Sequence, residues 1–267
     1  MNEGPGPGDV SDLTSSQRQF SQVAEAYRQS FSHGDPVSLA RFIDLAELRP
    51  NHRVLDIATG TGHSALAAAP HVLEVVGLDI TPAMLEQARV LAAEREIRNV
   101  SFVIGDAQDL PFPGSSFDRV LVRSAPHHFQ QLIPALAEAY RVLRPGGAFA
   151  ISDCSPPPVV RDWLQVVEVG RDPSHVRSRA LEEWRALLQA LGFTVEHAER
   201  IEQEKDILEW FEIAKVAEKS KRQLLDYYET APQAVKGQLL AQWREGRFYH
   251  RYWHALIRAR RPIQSPA

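Results

Sequence analysis

Sulfur is scarce in this chain of 267 residues, which carries one cysteine, Cys154, and two methionines. A lone thiol excludes an internal disulfide and a thiolate-rich metal cage, so no metal site is expected. It also suits a reducing cytoplasm, where the chain is expected to work. Long apolar runs are missing as well. None approaches the ~20 residues that span a bilayer, which excludes a transmembrane helix. The N-terminus lacks a basic patch followed by an apolar core, so no secretory signal is expected there. Nor is there an excess of positive charge, the formal net charge being -4. That argues against nucleic acid as a partner, since general binders show a basic domain. The one locally basic stretch, Arg247 to Arg261, is interrupted by aromatic and apolar residues and reads as a strand.

What is present is an ordinary globular composition, 44% hydrophobic and 24% charged, with a strong order to it. Residues 1–13, with a Gly-Pro-Gly-Pro-Gly run, are expected to be a disordered lead-in. Residues 14–48 read as an N-terminal helical cap, because Phe20, Val23 and Tyr27 recur at helical spacing and a second amphipathic helix follows Pro36. From there apolar strands at Arg53–Ile57, Glu74–Asp79, Val100–Gly105, Arg119–Arg123 and Ala148–Asp153 alternate with helical patterns. Such alternation predicts an α/β fold, a parallel sheet with helices on both faces. Pro156-Pro157-Pro158 ends the alternation. Beyond it come a helix from Val159, a polar loop from Arg171 to Arg177, a helix from Ala180 to Leu191 closed by Gly192, and a strand from Phe193 to Ile201. Ile207 to Trp243 reads as helical throughout, and Phe248–Ile257 as a final strand lying antiparallel beside Phe193–Ile201. The domain proper is thus expected over residues 49–260, with helical insertions near 155–180 and 205–244.

Ligands of an open parallel sheet bind at the carboxyl ends of its strands, where strand order reverses. This chain places informative residues there. The first strand ends in Ala58-Thr59-Gly60-Thr61-Gly62, the second in Gly77-Leu78-Asp79, the third in Gly105-Asp106-Ala107 and the fourth in Arg123-Ser124-Ala125. A glycine turn lets backbone lie against a nucleotide-like ligand. An acidic side chain one βα unit later accepts ribose hydroxyls. Asp106, one unit further, is placed to accept from an adenine amine. Asp56, inside the strand-to-turn junction, is expected to order the loop or meet a cation. Thr81 and Pro82 supply a cap and a first helical residue, which relieves Asp79 of that duty.

These stretches resemble the class I, Rossmann-like S-adenosylmethionine-dependent methyltransferases, especially the small-molecule branch that includes quinone-biosynthesis enzymes. The resemblance rests on Val54-Leu55-Asp56-Ile57-Ala58-Thr59-Gly60-Thr61-Gly62, on Val76-Gly77-Leu78-Asp79-Ile80-Thr81-Pro82-Ala83-Met84-Leu85 and on Gly105-Asp106-Ala107-Gln108-Asp109-Leu110-Pro111-Phe112. It continues through Ser116-Phe117-Asp118 and Arg141-Val142-Leu143-Arg144-Pro145-Gly146-Gly147, so it covers roughly Arg53 to Asp153 in order. It implies a seven-stranded, mostly parallel sheet with the last strand antiparallel, and S-adenosylmethionine as cofactor, leaving S-adenosylhomocysteine as product. It also implies roles. Asp56 and the turn through Ala58, Thr59, Gly60 and Gly62 would lie along the methionine portion. Asp79 would hold the ribose, Ile80 and Met84 would flank the adenine, and Asp106 and Ala107 would bond it. Arg123 and Ser124 would sit beneath the sulfonium, and Tyr27 would cover the methionine carboxylate. Ala58 departs from the pattern, since much of the family has glycine there.

The acceptor side is thinner. His127 and His128 follow the fourth strand and are the candidate general bases for an O, C or N acceptor on a small organic molecule. Arg171, His175 and Arg177 form a second polar group suited to a carboxylate or phosphate on that substrate, or else a structural loop. Cys154 reads as a small buried residue. Trp210, Phe211, Tyr227 and Tyr228 suit a cap over an apolar acceptor, a helical layer or a homodimer contact. A non-methylating use of the same cofactor, such as cyclisation or elimination, is the alternative chemistry, because the motifs report cofactor binding alone.

Overall fold

The computed structural model describes residues 14–29 and 34–263; the expected lead-in over residues 1–13 lies outside that range. Helix α1 (Ser15–Gln29) precedes α2 (Pro36–Leu45), which starts where the Asp35 carboxylate accepts the Ser38 amide at 2.9 Å and Pro36 takes the first helical position. The alternating region follows as β1 (Arg53–Ile57), α3 (His63–Ala68), β2 (Glu74–Asp79), α4 (Pro82–Glu94), β3 (Val100–Ile104), β4 (Phe117–Arg123), α5 (Leu132–Val142) and β5 (Leu143–Cys154). Then come α6 (Pro158–Arg171), α7 (Leu181–Ala190), β6 (Thr194–Asp206), α8 (Ile207–Ile213), α9 (Glu218–Glu229), α10 (Gln233–Leu239), β7 (Gln242–Arg244) and β8 (Arg247–Arg260).

The strands lie in the order β3-β2-β1-β4-β5-β8-β6, seven along the main path, with short β7 pairing with β8. The first five are parallel, and β8 enters antiparallel between β5 and β6. The expected seven-stranded arrangement is therefore present. The stretch read as helical up to Trp243 differs at its end, where Gln242–Arg244 folds back on β8 across a turn at Glu245 and Gly246. Strands β6 and β8 also run longer than their apolar pattern. Their outer ends are charged, Arg251 of β8 meeting Glu202 of β6 at 3.3 Å, and Arg244 of β7 adds a pair with Glu204 of β6 at 2.5 Å.

Strand β1 is buried on both faces at Val54, Leu55 and Ile57, as a central parallel strand between two helical layers must be. One core, with Leu55, Ile57, Phe117, Leu136 and Trp184, fills one face, and another, with Phe42, Val54, Ala65 and Leu121, fills the other. A further core joins α6, α8, α9, α10 and β8, where Trp163 stacks on Tyr227 with ring centres 4.9 Å apart. Trp210, Phe211 and Tyr228 are buried in it, so these rings build a helical layer. No helix among the described residues is long and apolar enough to cross a membrane.

Candidate active site

Strand order reverses between β2 and β4, on either side of β1, and the carboxyl ends of these strands open into a cleft of about 1180 Å³ including its solvent-open mouth. Its walls include Asp56, the turn Ala58-Thr59-Gly60-Thr61, Asp79, Asp106 and Arg123. Helix α1 closes one side with Phe20 and Tyr27, held down where the Gln17 side-chain amide donates to the Ile80 carbonyl at 3.1 Å. Ile80, Met84, Ala107 and Phe129 supply apolar wall, and Ser124 and His128 stand on the rim beyond.

The turn owes its shape to backbone. Ala58, Gly60 and Gly62 all have positive φ, at 52°, 55° and 86°. A Cβ added at Gly60 would meet nothing within 4 Å, because it would project into the cleft. Gly62 itself does not line the cleft. It caps α3 in a left-handed conformation, and a Cβ there would crowd Ala88 at 3.1 Å. Beneath the turn Asp56 is buried, and its Oδ2 accepts the Thr59 hydroxyl at 2.6 Å. Burial pushes its carboxyl up to about 7, against the Thr59 bond and the Arg123 charge. Arg123 donates from Nε to the Ser64 hydroxyl at 2.9 Å, and burial lowers its pKa to about 10. The two alternatives expected for Asp56, loop ordering and a cationic neighbour, both occur.

Asp79 is more constrained than its sequence context suggests. Thr81 makes no side-chain cap to α4; instead Asp79 Oδ1 accepts the Thr81 amide at 2.9 Å, and Oδ2 accepts the Gly60 amide at 2.8 Å. Burial raises its pKa while these bonds oppose the rise. The residue also lines the cleft. Asp106 closes an Asx turn by accepting the Gln108 amide at 2.9 Å.

The two histidines divide. His128 lines the cleft, with the Phe20 ring edge-on at 4.9 Å. His127 does not; its Nδ1 is 2.5 Å from Asp153 Oδ1 at the end of β5, and both are buried. Burial drives His127 down to about 3 and Asp153 up to about 7, so the pair holds a single proton between them. His127, Asp153 and Cys154 bring their ligand-type atoms within 4.8 Å of one another. His127 Nδ1 and Asp153 Oδ1 bond to each other, Cys154 Sγ lies 3.0 Å from the Ser178 hydroxyl, and burial holds the thiol protonated.

Arg171, His175 and Arg177 lie away from the cleft walls. Helix α6 runs through Arg171, where the polar loop was expected to begin, and Arg171 is buried over the Trp210 ring at 4.3 Å. Its Nη2 faces Glu168 at 3.4 Å and Asp172 at 3.8 Å. His175 is buried 3.6 Å from Glu168, and half-exposed Arg177 pairs with Glu183 at 2.5 Å. This is a structural network that reaches the cleft at Tyr27 and, through Asp172 and Ser174, at His128. Burial raises the Tyr27 phenol, and Arg171 opposes the rise by its charge and a hydrogen bond. Sequence reasoning missed Asp153 and Ser174. Asp153 was visible by the rule that picked out Asp79, an acid ending a parallel strand.

A family model described as a methyltransferase domain matches residues 48–231. The chain belongs to the class I S-adenosylmethionine-dependent methyltransferases. This methyltransferase is 43% identical over 173 residues to the uncharacterized methyltransferase YcgJ of Bacillus subtilis, covering 64% of this chain and 68% of that one. The YcgJ crystal structure superposes with a TM-score of 0.80 and 32% identity, over 85% of this chain and 99% of the other. The chain is also 33% identical to the 27-O-demethylrifamycin SV methyltransferase of Amycolatopsis mediterranei, over 72% of this chain and 71% of that one. To the demethylmenaquinone methyltransferase of Thermus thermophilus it is 39% identical, over 52% and 66%.

Proposed function

We propose that this methyltransferase uses S-adenosylmethionine to methylate an O, C or N atom of a small organic acceptor, with oxygen or carbon favoured. The observation that carries the cofactor assignment is the joint placement of the Gly60 turn, Asp79 and Asp106 around one cleft. The cradle at Gly60, which a Cβ would fill, fits a ligand lying on that backbone. Asp79 would hold the ribose hydroxyls, Ile80 and Met84 the adenine face, and Asp106 with Ala107 the adenine edge. Asp56, Thr59 and Arg123 would border the methionine portion, and Tyr27 would close over it. When bound, S-adenosylmethionine supplies a methyl group already activated by its sulfonium.

The protein's task is then to hold the acceptor in line, to exclude water and to receive a proton. Helix α1 excludes water from one side. His128, on the rim, is the base toward an acceptor O–H or acidic C–H. His127 belongs to the support of that rim. The named substrates of the relatives, demethylmenaquinone and 27-O-demethylrifamycin SV, favour a small organic acceptor with apolar surface. Titration calorimetry with S-adenosylmethionine and S-adenosylhomocysteine tests the cofactor; heat is expected with both, and no heat with either would refute it. Methyl-labelled donor incubated with a soluble demethylmenaquinol analogue tests the transfer, with label expected in the product. Converted acceptor without label would show cyclisation or elimination in its place.

A further inference from the structure

The loop after α6 reaches His128 through Ser174, a residue that does not line the cleft. Ser174 Oγ lies 3.0 Å from His128 Nδ1 and 2.6 Å from Asp172 Oδ1, and all three residues are buried. The Ser174 amide donates to the same Asp172 oxygen at 2.9 Å, and the Asp172 amide donates to the Glu168 carbonyl at 2.8 Å, so the acid is fixed at the end of the helix. Burial would raise the Asp172 carboxyl, but the Arg171 charge and the Ser174 bonds oppose the rise and hold it below its usual value, and His128 adds to this only once it is protonated. Asp172 is therefore an anion and accepts only.

A hydroxyl has a single proton, and at 2.6 Å from a carboxylate the Ser174 proton is committed to Asp172. What Ser174 offers His128 is a lone pair. We propose that Asp172 and Ser174 are positioning residues that fix His128 as the tautomer protonated on Nδ1, leaving the Nε2 lone pair as the base of the cleft. This rests on the reading of His128 as the base for methyl transfer. Among the described residues no other group competes for that Nδ1 proton: His127 faces its own partner Asp153, and His175 stands 6.1 Å away, ring centre to ring centre. Burial and the neighbouring His127 keep His128 neutral, with a pKa lowered to about 3, so it enters the reaction as a free base.

The same chain of bonds serves the reaction. Nε2 of His128 takes the proton of the acceptor X–H as the bond from X to the methyl carbon forms and the carbon–sulfur pair stays on sulfur. One positive charge leaves the sulfonium and one arrives on the imidazolium, so charge balances. The new cation then donates from Nδ1 to Ser174, whose hydroxyl leads to the Asp172 anion. A neutral acid at Asp172 would leave that charge without a counter-ion.

The tautomer can be read on the ligand-free protein, independently of any activity. Long-range proton–nitrogen correlation NMR of protein carrying isotope-labelled histidine distinguishes the two ring nitrogens, and loss of one signal set in His128→Gln assigns it. The expected result is His128 protonated on Nδ1 alone at neutral pH. In Ser174→Ala the proton should move largely to Nε2, the form a free imidazole favours. A wild-type His128 protonated on Nε2, or on both nitrogens, overturns the proposal whether or not Ser174→Ala folds. So does a Ser174→Ala protein in which the Nδ1 proton persists. Failure of S-adenosylmethionine to bind would instead refute the proposed function, and calorimetry reports that separately.

Discussion

Asp79 Oδ2 accepts the Gly60 amide across 2.8 Å, so the carboxylate that ends β2 is bonded to the turn that follows β1. The same carboxylate thus shapes the cradle and faces the cleft. Asp79→Ala removes a charge-assisted acceptor from two backbone amides and from the proposed ribose contact. Hydrogen bonds to charged groups contribute about 1.5–3 kcal/mol each, which corresponds to roughly 10- to 100-fold in affinity. Calorimetric affinity for S-adenosylhomocysteine should fall by at least that much, and an unchanged value would remove Asp79 from the ribose.

Ala58 carries a side chain where the backbone is left-handed, φ 52°, which accounts for the glycine common in the family at this point. The left-handed region costs a non-glycine residue about 1–2 kcal/mol. Glycine returns part of that through the flexibility of its unfolded chain, roughly 0.4–1 kcal/mol. Ala58→Gly should therefore stabilise the protein by up to about 1 kcal/mol and raise Tm by ~1–3 °C. A lowered Tm would mean that the Ala58 methyl, which packs against the main core, outweighs the strain.

Much of this architecture was legible because parallel strands announce themselves. Val54-Leu55 and Val75-Val76 are continuous apolar pairs, and the carboxyl end of each strand falls where the glycines and acids begin. The glycine of the second strand was legible as a match but not as a cause. A Cβ on Gly77 would come within 2.8 Å of the Phe102 ring and 3.0 Å of Thr59 Cγ2, so that glycine lets the β3 ring pack beneath the turn. The fate of Arg171, His175 and Asp172 was legible only as one of two alternatives, a structural loop against a substrate contact. Local polarity read as a loop, whereas burial over Trp210 depends on α8 and β8, which lie far along the chain. Ser174 was invisible for the same reason, since its value lies in meeting a histidine 46 residues away.

Arg171 makes the consequence testable. Its guanidinium is buried between Glu168 and Asp172, so Arg171→Met leaves two acids without their cation. Breaking a buried ion pair in this way typically costs 3–5 kcal/mol, roughly. Urea unfolding should show a loss of that size. Arg177→Ala, by contrast, removes an exposed pair with Glu183 and should change stability by no more than about 0.5 kcal/mol. Near-native stability in Arg171→Met would return Arg171 to a substrate-binding role.

Asp56 should make stability depend on pH in a direction opposite to that of a salt-bridged acid. Burial lifts its folded pKa to about 7, whereas an unfolded aspartate titrates near about 3.9. Between those values the folded chain keeps a proton that the unfolded chain has released. The stability so contributed is complete below about pH 4 and is lost as pH rises toward 7, at about 1.4 kcal/mol per unit. The His127–Asp153 pair adds little slope over the same window. With His127 down to about 3 and Asp153 up to about 7, the folded pair holds a single proton. The unfolded pair, an ionised aspartate and a charged histidine, holds one as well. Asp56→Asn keeps an acceptor for the Thr59 hydroxyl but removes the titration. Its stability relative to the wild type, from urea unfolding between about pH 5 and pH 8, should climb with pH and level off above about pH 7. A difference that stays constant over that range would show that Asp56 is already ionised in the folded protein, with Arg123 as its counter-ion.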